Sequence, residues 1–139
     1  MIEVKELKKG FGGDELVLKG ISTTFDKGKT NLIIGQSGSG KTVFLKCLLG
    51  LFRPTEGKIL YDGQAYSELS SEKQRTLREQ MGMVFQGSAL FDSMSVEENI
   101  MFPLKMFTKQ RKAERRERAN EVIKRVNLIN ANNKLPSEK

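Results

Sequence analysis

Only one cysteine, Cys47, stands among the 139 residues, so no disulfide framework can form within the chain. The default compartment is then the cytoplasm. Long apolar runs are also missing, because Lys46 and Arg53 interrupt the richest stretch well short of what a bilayer requires. The opening Met1-Ile2-Glu3-Val4-Lys5-Glu6 mixes both charges and has no apolar block, so no secretory leader is visible. Internal repeats and low-complexity tracts are absent. With 37% hydrophobic and 29% charged residues, the composition suits one modest soluble globular domain.

Acidic residues are in short supply, 17 against 24 Lys/Arg, for a formal charge of +7. The excess is local. Residues 109–125 hold eight Lys/Arg and three Glu, leaving 16 against 14 elsewhere. A basic segment of this kind could meet nucleic acid or anionic lipid head groups. The expectation is a solvated helix laced with Glu114–Arg118 and Glu121–Arg125 pairs, and no nucleic-acid partner.

What is present centres on Gly35-Gln36-Ser37-Gly38-Ser39-Gly40-Lys41-Thr42. This is G-x-x-x-x-G-K-[ST], the phosphate-binding P-loop. It follows the apolar run Thr30-Asn31-Leu32-Ile33-Ile34, expected as a buried strand, and precedes a helix-like stretch from Val43 to Leu49 closed by Gly50. Glycines let successive N–H groups turn toward phosphate oxygens, and the helix N-terminus adds partial positive charge. Lys41 supplies a full charge for the β- and γ-phosphates, and the Thr42 hydroxyl is suited to Mg²⁺.

Before the loop, Ile2-Glu3-Val4-Lys5-Glu6-Leu7 alternates like a half-exposed strand, and residues 16–25 continue as one or two more. After it, Pro54 and Gly57 redirect the chain into a strand at Lys58-Ile59-Leu60-Tyr61, and Asp62-Gly63 signals a tight turn. Ser70 is expected to cap a helix through Gln80, and Met81-Gly82-Met83-Val84-Phe85 to form another buried strand. Ser95 and Glu98 fit a capping box for a helix through Ile100 and Met101. Thr108 is expected to cap the basic helix, with Val122, Ile123 and Val126 turned inward and the pattern broken at residues 130–133.

Several of these stretches line up in order with one family. GQSGSGKT, then GLFRPTEGKILYDG, then MVFQGSALFDSMSVEENI together resemble the ATP-binding subunit of an ABC transporter, over essentially the whole chain. The resemblance implies an α/β fold with a P-loop NTPase (RecA-like) core. That core would be incomplete, with an N-terminal antiparallel β subdomain at 1–28, the P-loop and Q-loop core at 29–94, and the start of a helical subdomain at 95–139. It implies ATP and Mg²⁺ as cofactors. Phe11 falls at the A-loop aromatic that stacks on adenine, as Phe where Tyr is commoner. Gln36, Ser37, Gly38, Ser39, Gly40, Lys41 and Thr42 would wrap the phosphates, with Lys41 also catalytic and Thr42 on the metal. Gln86 matches the Q-loop glutamine, implying a catalytic and metal role and coupling to the transporter's membrane part.

Within the family, Ser88-Ala89-Leu90-Phe91 with Val96, Asn99 and Pro103-Leu104 is most similar to ATPases of Mla-type phospholipid transport. The partners implied are a transmembrane permease, a second copy of the ATPase subunit and an MCE-type lipid-binding protein, at the cytoplasmic side of the inner membrane. Amino-acid and lipoprotein transport ATPases share much of the pattern. Four of the family's motifs have no counterpart here: the LSGG signature loop, the Walker B Asp-Glu, the D-loop and the switch histidine, and the chain contains no histidine. The expectation is therefore a chain stopped just before the signature loop. It would bind ATP·Mg²⁺ without hydrolysing it and associate through unpaired strand edges. A small P-loop kinase or GTPase, or a non-hydrolysing regulator or remnant, is the alternative.

Overall fold

The computed structural model describes residues 1–139 except Asp14, Gln86, Ser88 and Lys139. They form two compact units, residues 1–83 and residues 84–139.

The first unit is built on an antiparallel sheet with strand order β2-β1-β3-β4, where β1 is Ile2–Gly10, β2 Leu16–Phe25, β3 Glu56–Tyr61 and β4 Gln64–Ala65. Strand β1 lies between β2 and β3, so its main chain is paired on both edges. Simple alternation along β1 would align Val4 with Glu6 and turn Leu7 outward. A bulge prevents this: the register shifts between Val4 and Leu7, and Glu6 takes a left-handed conformation with φ 48°. The Glu6 N–H donates to Ser22 Oγ (3.0 Å), and that hydroxyl donates back to Glu6 Oε1 (2.6 Å). Opposite the bulge, Gly57 sits at φ 80° where any Cβ would collide with the Glu6 backbone. One change of phase brings both Val4 and Leu7 onto the covered face, 2% and 0% exposed.

Helix α1 (Lys41–Leu48) covers that face. Phe44, Cys47 and Leu48 pack with Val4, Leu7, Leu18, Ile59 and Tyr61. The helix ends in a Schellman motif: the Gly50 N–H reaches the Cys47 carbonyl and the Leu51 N–H the Lys46 carbonyl, with Gly50 at φ 66°. The Tyr61 hydroxyl donates to the Leu48 carbonyl, which fastens the end of α1 to β3. Asp62 and Gly63, both at positive φ, make the β3–β4 turn, as the Asp-Gly pair predicts. Helix α2 (Ser71–Glu79) then starts at Ser70, whose Oγ accepts the Lys73 N–H, one residue short of the expected limit at Gln80.

In the second unit, α3 (Val96–Phe107) opens with the expected capping box: the Glu98 N–H donates to Ser95 Oγ (3.2 Å) and the Ser95 N–H to Glu98 Oε2 (2.8 Å). It continues through Pro103. The Asn99 amide accepts the Phe91 N–H and donates to the carbonyls of Phe91, Met94 and Ser95, which holds the preceding loop against the helix. Helix α4 (Lys112–Arg125) buries Ala119 and Ile123. Glu97 is 8% exposed, and its carboxylate is compensated by Arg116 Nε (3.1 Å) and Asn132 Nδ2 (2.8 Å).

Several expectations fail here for identifiable reasons. Residues 29–34 form no strand, and Leu32 and Ile34 are 86% and 81% exposed. Residues 81–85 form none either, with Val84 97% exposed. A strand exists only as part of a ladder, and neither run has a hydrogen-bonded neighbour among the described residues. Thr108 ends α3 instead of opening α4, whose N-cap is Arg111. Glu114 is drawn into that cap, accepting the Arg111 N–H (2.6 Å), and so is not spent on Arg118. Arg118 pairs instead with Glu121, three residues on. Val126 is 57% exposed, because α4 ends at Arg125 and Asn127 (φ 56°) turns the chain.

Candidate functional site

The P-loop residues lie together where the chain enters α1. Gly38 (φ 79°) and Gly40 (φ 87°) take left-handed conformations that side-chain-bearing residues seldom adopt. These two turns are what bring the loop back over the helix end. The Ser39 N–H donates to the Gln36 carbonyl (3.2 Å), closing the loop on itself. A Cβ on Gly35 would fall 2.6 Å from Ser39 Oγ, so the first glycine allows that closure. Gln36, Ser37, Gly38 and Ser39 are exposed.

Gly40 is the N-cap of α1, and it supplies no side-chain acceptor. Helices normally offer Ser, Thr, Asp or Asn there to satisfy the free amides of the first turn. The first turn also contains no acidic residue. Amides, helix dipole and the Lys41 ammonium therefore share one exposed corner without a built-in anion. Lys41 Nζ donates to the Gly35 and Gln36 carbonyls at 2.7 Å each, which folds it back over the loop. The Thr42 hydroxyl stands exposed on the same first turn. Such a set of donors fits a polyphosphate, whose oxygens are acceptors only. Among the described residues no group of three or more acidic, Cys or His side chains could hold a metal by itself. A cation at Thr42 would therefore draw most of its ligands from phosphate and water.

The loop has a wall that one-dimensional reading missed. A Cβ on Gly40 would lie 2.9 Å from Leu18 Cδ2 and 3.2 Å from Val17 Cγ1, so β2 presses directly on the third glycine. The apolar Leu16-Val17-Leu18 triplet signals a strand, but nothing in it says which glycine it meets.

Phe11 is 56% exposed, just past the end of β1. Its ring stands edge-on to Phe52, centroids 5.1 Å apart, and Lys9 Nζ lies 4.9 Å from its centroid. An aromatic face beside an ammonium suits a flat, electron-rich ring. Gln86 lies outside the described residues, as does Ser88.

The far end of α1 is inert. Burial pushes the Cys47 thiol above its usual pKa, with Lys9 opposing in part. The Tyr61 hydroxyl is pushed up to about 12 by burial, then by Tyr66 and Cys47. Both stay neutral near pH 7 and offer no nucleophile.

A family model described as ABC transporter matches residues 18–139. The "Probable ribonucleotide transport ATP-binding protein mkl" of Mycobacterium leprae is 39% identical over 137 residues, covering 99% of this chain and 39% of that protein. The arginine transport ATP-binding protein ArtM of Bacillus subtilis is 41% identical over 139 residues, covering 99% of this chain and 56% of its own length. Among solved structures, the dimeric post-hydrolysis state of the ATP-binding cassette MJ0796, bound to ADP and Pi, superposes with a TM-score of 0.83. It is 29% identical and covers 100% of this chain and 63% of that one. The chain thus spans 39% and 56% of the length of these two curated relatives.

Proposed function

Because the chain belongs to the ABC transporter family, we propose that it is the nucleotide-gripping part of a transport ATPase. The observation that carries this reading is the uncapped N-terminus of α1, where free amides and Lys41 converge with no internal anion. The amides of residues 36–42 hold the phosphates of ATP, with the Ser39 N–H released from the Gln36 carbonyl, and the Lys41 ammonium leaves the loop carbonyls for the β- and γ-phosphates. The Thr42 hydroxyl contributes to Mg²⁺, whose charge offsets that of the triphosphate. Phe11 stacks on adenine, backed by Phe52. Gln86 links metal and attacking water to the membrane partner. Catalysis in this chemistry is mostly positioning and charge stabilisation.

In the intact transporter, two such subunits would face each other across two ATP molecules and drive a permease at the cytoplasmic side of the membrane. The boundaries that we assign are 1–28 for the antiparallel part, 29–94 for the P-loop and Q-loop core and 95–139 for the start of the helical part. No helix of the described residues is long and apolar enough to cross a membrane, so the permease would supply the crossing. These 139 residues contain no Walker B glutamate and no signature loop, so by themselves they bind the nucleotide and do not turn it over.

For cargo we favour phospholipid with an MCE-type partner, on the strength of residues 88–104. Relatives named for ribonucleotide and arginine transport make a polar solute the second reading. Calorimetric titration with Mg·ATP tests the core claim. Lys41→Ala removes charge-assisted hydrogen bonds and should weaken binding about 10- to 100-fold. An unchanged dissociation constant would refute the phosphate role. In the assembled transporter, ATPase stimulation by phospholipid vesicles but not by arginine or ribonucleotide decides the cargo.

A further inference from the structure

At the opposite end of α1 from the P-loop, the first unit has a cavity of about 310 Å³. Its walls come from the close of α1 (Cys47, Gly50), the loop after it (Phe52, Arg53, Pro54), β3 (Gly57, Lys58, Ile59) and the Tyr66 to Arg78 segment. Three cations line it, Arg53, Lys58 and Arg78, and no carboxylate among the described residues does. The described ion pairs of this unit use other residues, Lys5, Lys8 and Arg75 among them. One polar atom there is unexplained: the Tyr66 hydroxyl is shut away from solvent, against Gly50, and has no hydrogen-bond partner. A buried hydroxyl without a partner is a cost that native structures rarely carry without a use. The Gln74 amide, by contrast, is fixed on the Tyr66 and Leu69 carbonyls.

We propose that this cavity is a second ligand site, for a small organic oxyanion: a phosphate or carboxylate head on a compact apolar body. Arg78, Arg53 and Lys58 would take the head, and the Tyr66 O–H, which solvent does not reach in the free protein, would donate to it once the ring turns toward the cavity. Phe52, Pro54 and Ile59 would cover the body. The volume falls at the lower end of small-molecule pockets and leaves no room for a whole nucleoside triphosphate beside those side chains. The site therefore takes a different ligand from the P-loop and lies at the other end of α1, sharing only Phe52 with the Phe11 platform.

The test is a titration of the 139-residue chain with phenyl phosphate, followed by ¹⁵N NMR. Amides of Gly50, Gly57 and Ser67 report the cavity, and those of Gly38 and Gly40 separately report the P-loop. Saturable shifts at the first group are expected. Arg78→Gln should weaken that binding about tenfold and Tyr66→Phe at least threefold, while Lys73→Gln, a cation of the same helix outside the cavity, should leave it unchanged. Tyr66→Phe also removes the orphaned hydroxyl, so the melting temperature of the free protein should hold or rise. No saturable shift at the cavity amides overturns the proposal, as does an equal loss in Lys73→Gln. A melting temperature that falls in Tyr66→Phe would mean that the hydroxyl serves the fold, and would overturn its role here.

Discussion

Strand β1 and the run at residues 29–34 are both rich in apolar side chains, and they end in opposite states. Along β1, Val4 and Leu7 are sealed; in the later run, Leu32 and Ile34 face solvent. Hydrophobicity does not separate them, since the second run is the more continuous. Hydrogen-bonding neighbours do. Strand β1 pairs with β2 on one edge and β3 on the other, whereas residues 29–34 have no ladder among the described residues. An apolar side chain supplies the reason to be buried, but a strand must also satisfy its backbone, and only a neighbouring strand does that.

The largest effect should come from the sealed side of this comparison. Leu7→Ala opens a cavity at a site with 0% exposure, and a loss of about 2–5 kcal/mol in denaturant unfolding is expected. Next comes Lys41→Ala, whose cost should be seen in Mg·ATP affinity while the unfolding midpoint hardly moves. That split would show that the P-loop corner is held for a ligand and β1 for the fold. Ser95→Ala removes one half of a capping box and should cost about 1 kcal/mol. Here a local device contributes whatever the surrounding ladder does. Leu32→Asn should stay within about 0.5 kcal/mol of the parent. A loss matching Leu7→Ala would mean that residues 29–34 are buried after all, and would erase the contrast.

The smallest effect concerns the sheet's corner. The N-terminal ammonium hydrogen-bonds Asp62 (2.7 Å) and, with Lys27 adding, holds its carboxyl below the usual value. A depressed folded-state pKa means that the pair contributes at pH above the unfolded carboxylate value, near 3.9. The contribution is lost as pH falls through the folded value. Asp62→Asn should therefore melt slightly lower than the parent at neutral pH, with the gap closing in acid. Both groups are exposed, so the gap should be small and should shrink with added salt.

The elements that were legible in the sequence share one property: their signals are local. Ser95 with Glu98, Ser70 before α2, Asp62-Gly63 in its turn and Gly50 after α1 each act over three or four residues. The P-loop glycines belong here too, because left-handed backbone at Gly38 and Gly40 follows from the residue type. The misreadings around the basic helix are local as well, but there each residue had two competing roles within four positions. Glu114 had two possible partners on the same helix face, and the cap at Arg111 won over Arg118. Thr108 was an equally good stop or start, and the Leu104 carbonyl claimed it, accepting both its N–H (3.1 Å) and its hydroxyl (2.6 Å).

By itself, then, the sequence determined the family pattern, the phosphate-gripping loop and most chain turns, because these depend on backbone preference and on neighbours a few residues away. Only the tertiary structure decided that a bulge at Glu6 turns Leu7 into the core, that Val17 and Leu18 press on Gly40, and that Tyr66 faces a basic cavity beyond α1. Each of these joins residues 16 to 51 positions apart, from Glu6 with Gly57 to Tyr66 with Gly50, Ser22 with Glu6, and Leu18 with Gly40. Such pairings exist only once the chain has folded back on itself, where the room left by one backbone sets which side chain can stand beside it.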